Sequence, residues 1–321
     1  DALFDKQEHE IPSDIAEILL EMLKLSSALL QKRIKNGYLQ LNIPETEYIF
    51  NDTGHIIDLQ RSKQTESHIL IENFMLIANE YIAGQLSDKP TLYRIHEIPD
   101  EEKVMNMKDI VEKYELELTT QINFNLSFQK LLEAMPDNSF HRVFDRMILR
   151  SMKKAKYSIL NQGHFGLAMD TYTHFTSPIR RLCDLIVHHQ IKDRINSRSD
   201  KFNKPELKTF ADIASERELI ADESEREVDI KNKLNFMKKK LGEEYEGIIV
   251  ALRKNAIIVE IDRYPVTGVV PIQSLKDDYY EYNEQYMRFF GRKKGNIYKL
   301  TDKVKVLVSL ISDDIYFQLI K

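Results

Sequence analysis

Residues 172–181 read Y-T-H-F-T-S-P-I-R-R, and they mark the point where an extended segment gives way to a helix. Tyr172 and Phe175 favour strands. Ser177 is a good N-cap and Pro178 suits the first helical position, so we predict that the helix starts there. Apolar residues then recur at nearly helical spacing, at Ile179, Leu182, Leu185, Ile186 and Ile191. The stretch therefore predicts a turn from strand to helix.

Arg180 and Arg181 lie in the first turn of that predicted helix. Free backbone N–H groups and the positive end of the helix dipole favour an anion at this place and disfavour a cation. A bound phosphate would satisfy both the arginines and the N–H groups. The alternative is that both arginines pair with a local carboxylate such as Asp184. The residues alone leave these two interpretations open.

Composition limits the class of protein. The 321 residues are 42% hydrophobic and 30% charged, which is typical of a globular protein with material for two domains. The net charge of −5 excludes a globally basic nucleic-acid binder, so such binding would need local basic patches. The single cysteine, Cys183, excludes a disulfide framework and a cysteine zinc site, and we expect a cytoplasmic protein. No apolar run is long enough to span a bilayer, and we expect no membrane partner.

Up to about residue 241 the sequence pattern mixes helices and strands. Helices are predicted over residues 13–36, 66–84, 100–115, 139–156 and 205–241. A hairpin is predicted over residues 46–60 and a short strand over residues 92–95. On the first helix we expect one apolar face, made of Ile15, Ile18, Leu19, Met22, Leu29 and Leu30. These patterns predict an α+β domain over residues 1–241.

Two of these helices carry blocks of charge. Arg142, Arg146 and Arg150 recur at every fourth residue, and the segment 142–156 holds six basic residues against one acid. This segment is either a solvated helix face or a local basic patch for nucleic acid. The segment 216–229 contains seven carboxylates and only two arginines, and we expect most of the carboxylates to be solvated.

Residues 242–321 have a different sequence pattern from the residues before them. Five short β-rich runs, separated by Gly, Pro and Asn, lie at 245–250, 256–261, 268–271, 304–309 and 315–320. They predict a small barrel of the oligonucleotide-binding type. Within residues 286–305, seven Lys or Arg oppose one acid and are interleaved with Tyr286, Phe289, Phe290 and Tyr298. Basic groups for a backbone and aromatic faces for bases favour single-stranded nucleic acid, with one or two of these aromatics contacting it.

Other catalytic signatures are missing from the sequence. It contains no Gly-rich phosphate loop, no G-x-S-x-G elbow and no H-E-x-x-H pair. Ser177, His174 and Asp184 are the residue types of a serine-hydrolase catalytic triad. However, Ser177 precedes a proline at the predicted helix cap, where the backbone would occupy its hydroxyl. A serine hydrolase is therefore disfavoured.

The longest signature runs from residue 163 to residue 188, G-H-F-G-L-A followed by Y-T-H-F-T-S-P-I-R-R-L-C-D-L-I-V-H. Supporting segments are 68–79, L-Y-R-I-H at 92–96, S-E-R-E-V at 224–228 and D-D-Y-Y at 277–280. In order and spacing these residues resemble the ribonuclease II and ribonuclease R family of exoribonucleases, and more closely its ribonuclease R branch. The resemblance extends over essentially the whole chain.

The resemblance implies processive hydrolysis of single-stranded RNA from its 3′ end, with release of nucleoside 5′-monophosphates. It also implies magnesium ions held by aspartates, and an S1 RNA-binding domain as the last domain. Arg180 would stabilise the charge that develops on the scissile phosphate. Glu72 and Glu225 would lie beside the end of the RNA, and Tyr48 would stack on a terminal base. Further RNA contacts are expected from His174, Arg181, Arg292, Lys293 and Lys294.

Two of these expectations have alternatives. Glu225 could be one solvated acid among the seven of its segment. The aspartate pattern of the family, D-x-x-x-x-x-D-x-D-D, does not occur in these residues, and the chain begins at Asp1 without an initiator Met. We therefore expect a fragment of a longer monomeric enzyme that is inactive alone, because two-metal chemistry needs those carboxylates. The alternative is a non-catalytic RNA-binding protein on the same scaffold.

Overall fold

The part of the chain before the barrel mixes helices with two small antiparallel sheets. The computed structural model describes residues 1, 3–5, 11–120, 123–284 and 286–320. The helices in this part are α1 Ser13–Lys35, α2 Glu66–Gln85, α3 Glu101–Glu112, α4 Phe124–Glu133, α5 Asn138–Ser151, α6 Leu182–Ile195 and α7 Lys204–Met237. The strands are β1 Thr46–Phe50 paired with β2 Ile56–Arg61, and β3 Tyr93–Ile95 paired with β4 Lys156–Ser158. The predicted α+β class is confirmed.

The C-terminal part is a closed five-stranded barrel. Its first three strands are β5 Glu244–Arg253, β6 Ala256–Ile261 and β7 Thr267–Pro271. A separate three-stranded sheet follows, with β8 Tyr280–Asn283, β9 Arg288–Gly291 and β10 Ile297–Lys299. The barrel is then completed by β11 Lys303–Ile311 and β12 Ile315–Ile320, in the order β11-β12-β7-β6-β5. All five predicted barrel strands are confirmed, whereas the inserted sheet was not predicted.

The predicted start of α6 is wrong by four residues. Residues 178–180 form a turn, and the helix begins at Leu182 with Arg181 in an extended conformation at its N-cap. The backbone N–H of Ser177 donates to Oδ1 of Asp184 at 2.8 Å. This contact holds Ser177 outside the helix, so its hydroxyl does not act as the N-cap.

The predicted apolar face of α1 is also only partly correct. Ile15 and Ile18 are exposed by 47% and 61%, whereas Ala16 and Ser26 are buried. The helix packs on α2 through a polar contact, in which the Asn73 amide donates to the Ser26 hydroxyl at 2.7 Å and to its carbonyl at 3.2 Å. A hydrogen bond between two buried side chains therefore joins this helix pair, beside the half-buried Leu19, Met22, Leu29 and Leu30 of the predicted face.

One helix connects the two parts of the molecule. Helix α7 starts with a capping box between Asn203 and Glu206 and runs without a break to Met237. At its end, Phe236 and Met237 are buried in a core cluster that continues from the helices into the barrel. A second cluster lies under α6 and α7 and contains Cys183.

A buried carboxylate joins the barrel to the helical part. Glu260 on β6 is 2% exposed and accepts from Arg61 of β2 and Arg142 of α5, at 3.0 and 3.1 Å, and it also pairs with Arg146. Burial acts to raise the pKa of Glu260, but Arg146 and Arg142 outweigh it, and the pKa is lowered. Arg142 and Arg146 thus form neither a solvated face nor an RNA surface. The local sequence pattern could not show this, because their partner Glu260 lies more than a hundred residues away along the chain.

Candidate functional site

The two adjacent arginines after the turn have different environments. Arg181 pairs with the fully buried Asp184 through both nitrogens of its fork, Nη2 to Oδ1 and Nε to Oδ2, each at 2.8 Å. Arg180 is exposed, and no ion pair of its guanidinium occurs among the residues that the structure describes. The local-carboxylate interpretation therefore holds for Arg181 and fails for Arg180. A role of Arg181 in RNA binding stays a prediction.

Helix α2 fixes the segment that leads to these arginines. Asn79 is buried, and its amide nitrogen donates to the Tyr172 hydroxyl at 2.9 Å while its oxygen accepts from the Phe175 N–H at 2.9 Å. The ring of Phe175 stacks on His188 with centroids 4.2 Å apart. Both ends of the segment are thereby held before the turn begins. Arg180 thus extends from a rigid support.

His174 lies inside this segment in a cluster of aromatic rings. Its Nδ1 is hydrogen-bonded to the Tyr157 hydroxyl at 2.8 Å, and its ring packs edge-on against Tyr157 and Tyr172. Burial, together with the nearby Arg181 and Arg94, lowers the pKa of His174 to about 2. The ring is therefore neutral near pH 7 and cannot offer a positive charge to a phosphate. Its predicted contact with RNA stays a prediction.

Glu72 lies in a polar cavity of about 410 Å³ between α1 and α2. Its carboxylate accepts from Gln64 at 2.7 Å and from the Tyr38 hydroxyl at 3.3 Å. Burial and then Glu72 raise the pKa of Tyr38 to about 12. The Arg33 guanidinium lies 4.8 Å from the centre of the Tyr38 ring, and its buried Nη1 has no hydrogen-bond partner in the described part of the chain. The cavity thus combines an acceptor, an aromatic ring and an unsatisfied donor.

Tyr48 is not part of that cavity. Its hydroxyl donates to Oδ1 of Asp229 on α7 at 2.5 Å. The aromatic residue that contacts Glu72 is Tyr38, which sequence reasoning did not single out. The one indication of Tyr38 in the sequence was its position directly after Gly37, where the first helix was predicted to end. The stacking role of Tyr48 stays a prediction.

Glu225 is exposed on α7, and within the residues described it forms no ion pair. The carboxylate of this acidic segment that points toward the His174 cluster is Glu218, which pairs with Arg94. The Arg94 guanidinium also lies 4.9 Å from the centre of the Tyr157 ring. The pair was not predicted, because its members lie far apart in the sequence. The placement leaves Glu225 accessible to a ligand.

The basic residues predicted to bind RNA in the C-terminal part lie on the turn between β9 and β10, in the inserted three-stranded sheet and not in the barrel itself. The backbone N–H groups of Lys293 and Lys294 donate to Asp278 at 2.9 and 2.6 Å, so the turn is fixed while both ammonium groups stay exposed. Arg292 differs, because it pairs with Glu281. Two exposed cations are therefore available here, and Arg292 is already engaged. The predicted RNA contacts of all three residues stay predictions.

A metal centre does not fit the residues present. Among residues 1, 3–5, 11–120, 123–284 and 286–320, no group of three or more His, Cys, Asp or Glu side chains is placed to hold an ion. The carboxylates of the site, Glu72 and Glu225, are not assembled with others into a cluster of that kind.

Over the same ranges no helix is long and apolar enough to cross a membrane.

Solved and curated proteins resemble this chain over nearly its whole length. Ribonuclease R of Aquifex aeolicus is 35% identical over 316 residues, which are 96% of this chain and 45% of that protein. For ribonuclease R of Thermotoga maritima the identity is 34% over 303 residues, 91% of this chain and 42% of the relative. The structure of Mycoplasma genitalium ribonuclease R with ribose-methylated single-stranded RNA matches with a TM-score of 0.87 and 27% identity, covering 99% of this chain and 52% of that one. The chain spans about half the length of these relatives.

Two family descriptions match successive parts of the chain. "S1 RNA binding domain" matches residues 238–315, which contain the closed barrel. "RNB domain" matches residues 1–197, which contain Glu72, the turn and Arg180. The predicted boundary between residues 241 and 242 stays a prediction. Because the RNB match covers more than half of the residues, the chain belongs to the RNB-domain family.

Proposed function

We propose that this chain is the C-terminal part of an exoribonuclease that hydrolyses single-stranded RNA from the 3′ end and releases nucleoside 5′-monophosphates. Membership of the RNB-domain family supports the reaction class. The observation that carries the proposal is Arg180, which is exposed and forms no ion pair with any residue of the described ranges, on a turn that the pairing of Arg181 with Asp184 holds rigid.

In this proposal Arg180 binds the scissile phosphate. A guanidinium offers forked donors that match two phosphate oxygens, and its charge stabilises the negative charge that develops in the transition state. The neutral His174 nearby does not compete for the phosphate. Arg181 acts as a positioning residue, since its fork is already occupied by Asp184.

The cavity around Glu72 receives the end of the RNA in this proposal. A carboxylate can accept from the 2′-hydroxyl that distinguishes RNA from DNA. Tyr38 lies against Glu72 and is a suitable platform for a base, whereas Tyr48 would act from the side of α7. Glu225 is the second acidic side chain, and its exposure supports the assignment.

Single-stranded RNA is the proposed partner, and the barrel is proposed to bind it upstream of the reacting end. The relative from Mycoplasma genitalium was solved with single-stranded RNA. Lys293 and Lys294 offer exposed charge to the phosphate backbone. Magnesium would be held by carboxylates outside residues 1–321, which fits the absence of the family's aspartate pattern from this sequence. We propose a monomer that acts in the cytoplasm, where the single buried Cys183 stays reduced.

The proposal is tested with a single-stranded RNA whose phosphates are labelled throughout, in magnesium. The longer protein that joins this chain to the carboxylate-bearing region should release mononucleotides, and residues 1–321 alone should not. Degradation by residues 1–321 would contradict the placement of the metal ligands. Binding without degradation by the longer protein would contradict the enzyme and favour a non-catalytic RNA-binding protein.

A further inference from the structure

A second cavity, of about 270 Å³, lies where the β1–β2 hairpin meets the last turns of α7. It is separate from the cavity around Glu72, and the two share no lining residue. Its lining combines aromatic, amide and basic side chains, namely Phe50, His55, Asn232, Asn235, Phe236 and Lys239. Nothing in the proposed chemistry at Arg180 uses this cavity.

Phe50 is the aromatic ring at the rim of the cavity. It is the last residue of β1, beside a shift in the β1–β2 register between Ile49 and Phe50, and 55% of it is exposed. Phe236, in contrast, is buried in the core beneath the cavity. An exposed ring fixed on a strand beside a cavity can stack on a base of any identity, because every base has an aromatic face.

The polar side chains around this ring are available for a ligand. Asn232 is half-buried, and its amide has no hydrogen-bond partner within the described ranges, so it can both donate to and accept from a base edge. Lys239 and His55 are exposed and form no ion pair in the described part. Lys240 is different, because it pairs with Glu243 at 3.3 Å. A base edge and a phosphate would therefore each find a suitable partner.

The position of the cavity on α7 connects it to the proposed active site. Glu225, Asp229, Asn232 and Phe236 follow one another at spacings of four, three and four residues, so they share one face of the helix. Tyr48 binds Asp229 and so fixes the hairpin to the middle of that face. With a rise of 1.5 Å per residue, about 16 Å separate Glu225 from Phe236. A strand of RNA that passes from the barrel to Glu225 can follow this face.

We propose that the cavity between the β1–β2 hairpin and α7 binds one nucleotide of single-stranded RNA. This nucleotide lies between the barrel and Glu225. The base stacks on Phe50, its edge faces the Asn232 amide, and Lys239 contacts the phosphate. The site rests on the proposed function in one respect only, namely that single-stranded RNA is the ligand. Because stacking carries the recognition, the site accepts all four bases.

The test uses the fact that the chain contains no tryptophan. The variant F50W introduces a single indole at the rim of the cavity, and its fluorescence reports stacking directly. The matched control is Y81W, which places the indole on the exposed Tyr81 of α2, outside the cavity. Both variants of residues 1–321 are titrated with a single-stranded RNA oligomer in EDTA, and anisotropy of a label on the RNA measures binding in parallel.

RNA should quench the F50W indole and leave the Y81W indole unchanged. In the wild-type background, Phe50→Ala should weaken binding about tenfold. Lys239→Ala should lower the slope of log K against log salt by about 0.7. Bound RNA with an unquenched F50W indole would overturn this site and leave the proposed function intact. No binding of RNA to residues 1–321 would overturn this site together with the proposed RNA contact of the barrel, whereas the proposed reaction is tested in the longer protein.

Discussion

Arg181 and Asp184 form a two-point ion pair across the start of α6, whereas Arg180, one residue earlier, forms none in the part of the chain described. Asp184 also accepts from the Ser177 N–H, so one buried carboxylate closes the turn from both sides. The turn then holds Arg180 at the surface. Arg181 therefore supports the turn, and Arg180 is the residue that we propose contacts the ligand.

Asp184→Asn should destabilise the protein, because it leaves the guanidinium of Arg181 without its counter-charge. We expect the free energy of unfolding to fall by about 3 kcal/mol. Urea unfolding followed by circular dichroism measures it. Arg180→Ala is the control and should change the stability by less than about 0.5 kcal/mol, since that side chain is exposed. Equal effects of the two substitutions would contradict the division of tasks.

Two half-buried histidines, His164 and His174, should make the stability depend on pH. Burial lowers the pKa of His174 to about 2 and that of His164 to about 3, from an ordinary 6.5. Below pH 6.5 the unfolded chain takes up protons that the folded protein does not. The stability is therefore complete above that pH and falls below it, by at most about 1.4 kcal/mol per pH unit for each histidine.

Urea unfolding at several pH values between 7.5 and 5 would measure this slope. His174→Asn keeps a partner for the Tyr157 hydroxyl and should reduce the slope. His55→Asn removes a histidine from the exposed hairpin turn, outside the cluster, and serves as the control. A slope that His174→Asn leaves unchanged would show that the ring can be protonated in the folded protein.

The buried Glu260 should stabilise the contact between the barrel and the helices. Its pKa is lowered from the ordinary 4.5 because Arg146 and Arg142 outweigh burial. The stabilisation is thus present above pH 4.5 and lost as the pH falls through the lowered value. Glu260→Gln should cost about 3 kcal/mol at pH 7 and much less in acid, where the wild-type carboxylate is itself protonated.

Thermal unfolding at pH 7 and at acid pH would compare Glu260→Gln with the wild type. Glu281→Gln is the matched control, because Glu281 pairs with Arg292 at an exposed position. A stability difference for Glu260→Gln that stays the same at both pH values would contradict the assignment. The same contact makes deletion of the barrel a poor test of RNA binding, because deletion would leave three arginines without their carboxylate.

Lys293 and Lys294, on the sheet inserted into the barrel, offer a cleaner test of the C-terminal part. Replacing both by alanine should weaken the binding of single-stranded RNA and lower the salt slope by about 1.4, because each lysine contributes about 0.7. Fluorescence anisotropy at several salt concentrations measures both quantities. The double variant of Lys32 and Lys35, two exposed residues at the end of α1, is the control. An unchanged salt slope would exclude this turn from the RNA-binding surface.

The sequence predicted those parts of the fold that depend on neighbouring residues. The hairpin and the five barrel strands follow from alternating β-rich runs and from turn residues between them. The start of α6 was misplaced because a buried carboxylate seven residues downstream holds Ser177. Arg142 and Arg146 were misread because their partner, Glu260, lies on another domain.

The candidate site was predictable to a similar degree. Arg180 and Glu72 were identified through the family resemblance. Arg180 is exposed and Glu72 is half-buried in a cavity, and their roles stay predictions. Tyr38 and Arg33 were missed, because the contact of Tyr38 with Glu72 and the place of Arg33 in the same cavity depend on how α1 and the residues after it pack on α2. The polar contact between Ser26 and Asn73, which is part of this packing, has no signature in hydrophobic periodicity.

Arg180 is proposed to act on the reacting phosphate rather than on RNA binding in general. The direct measurement compares Arg180→Ala with wild type in the longer protein that carries the metal ligands, by single-turnover cleavage and by RNA affinity in EDTA. We predict that the cleavage rate falls about 100-fold or more while the affinity changes by less than about threefold. Equal losses of rate and affinity would contradict the claim and leave Arg180 as an anchoring residue.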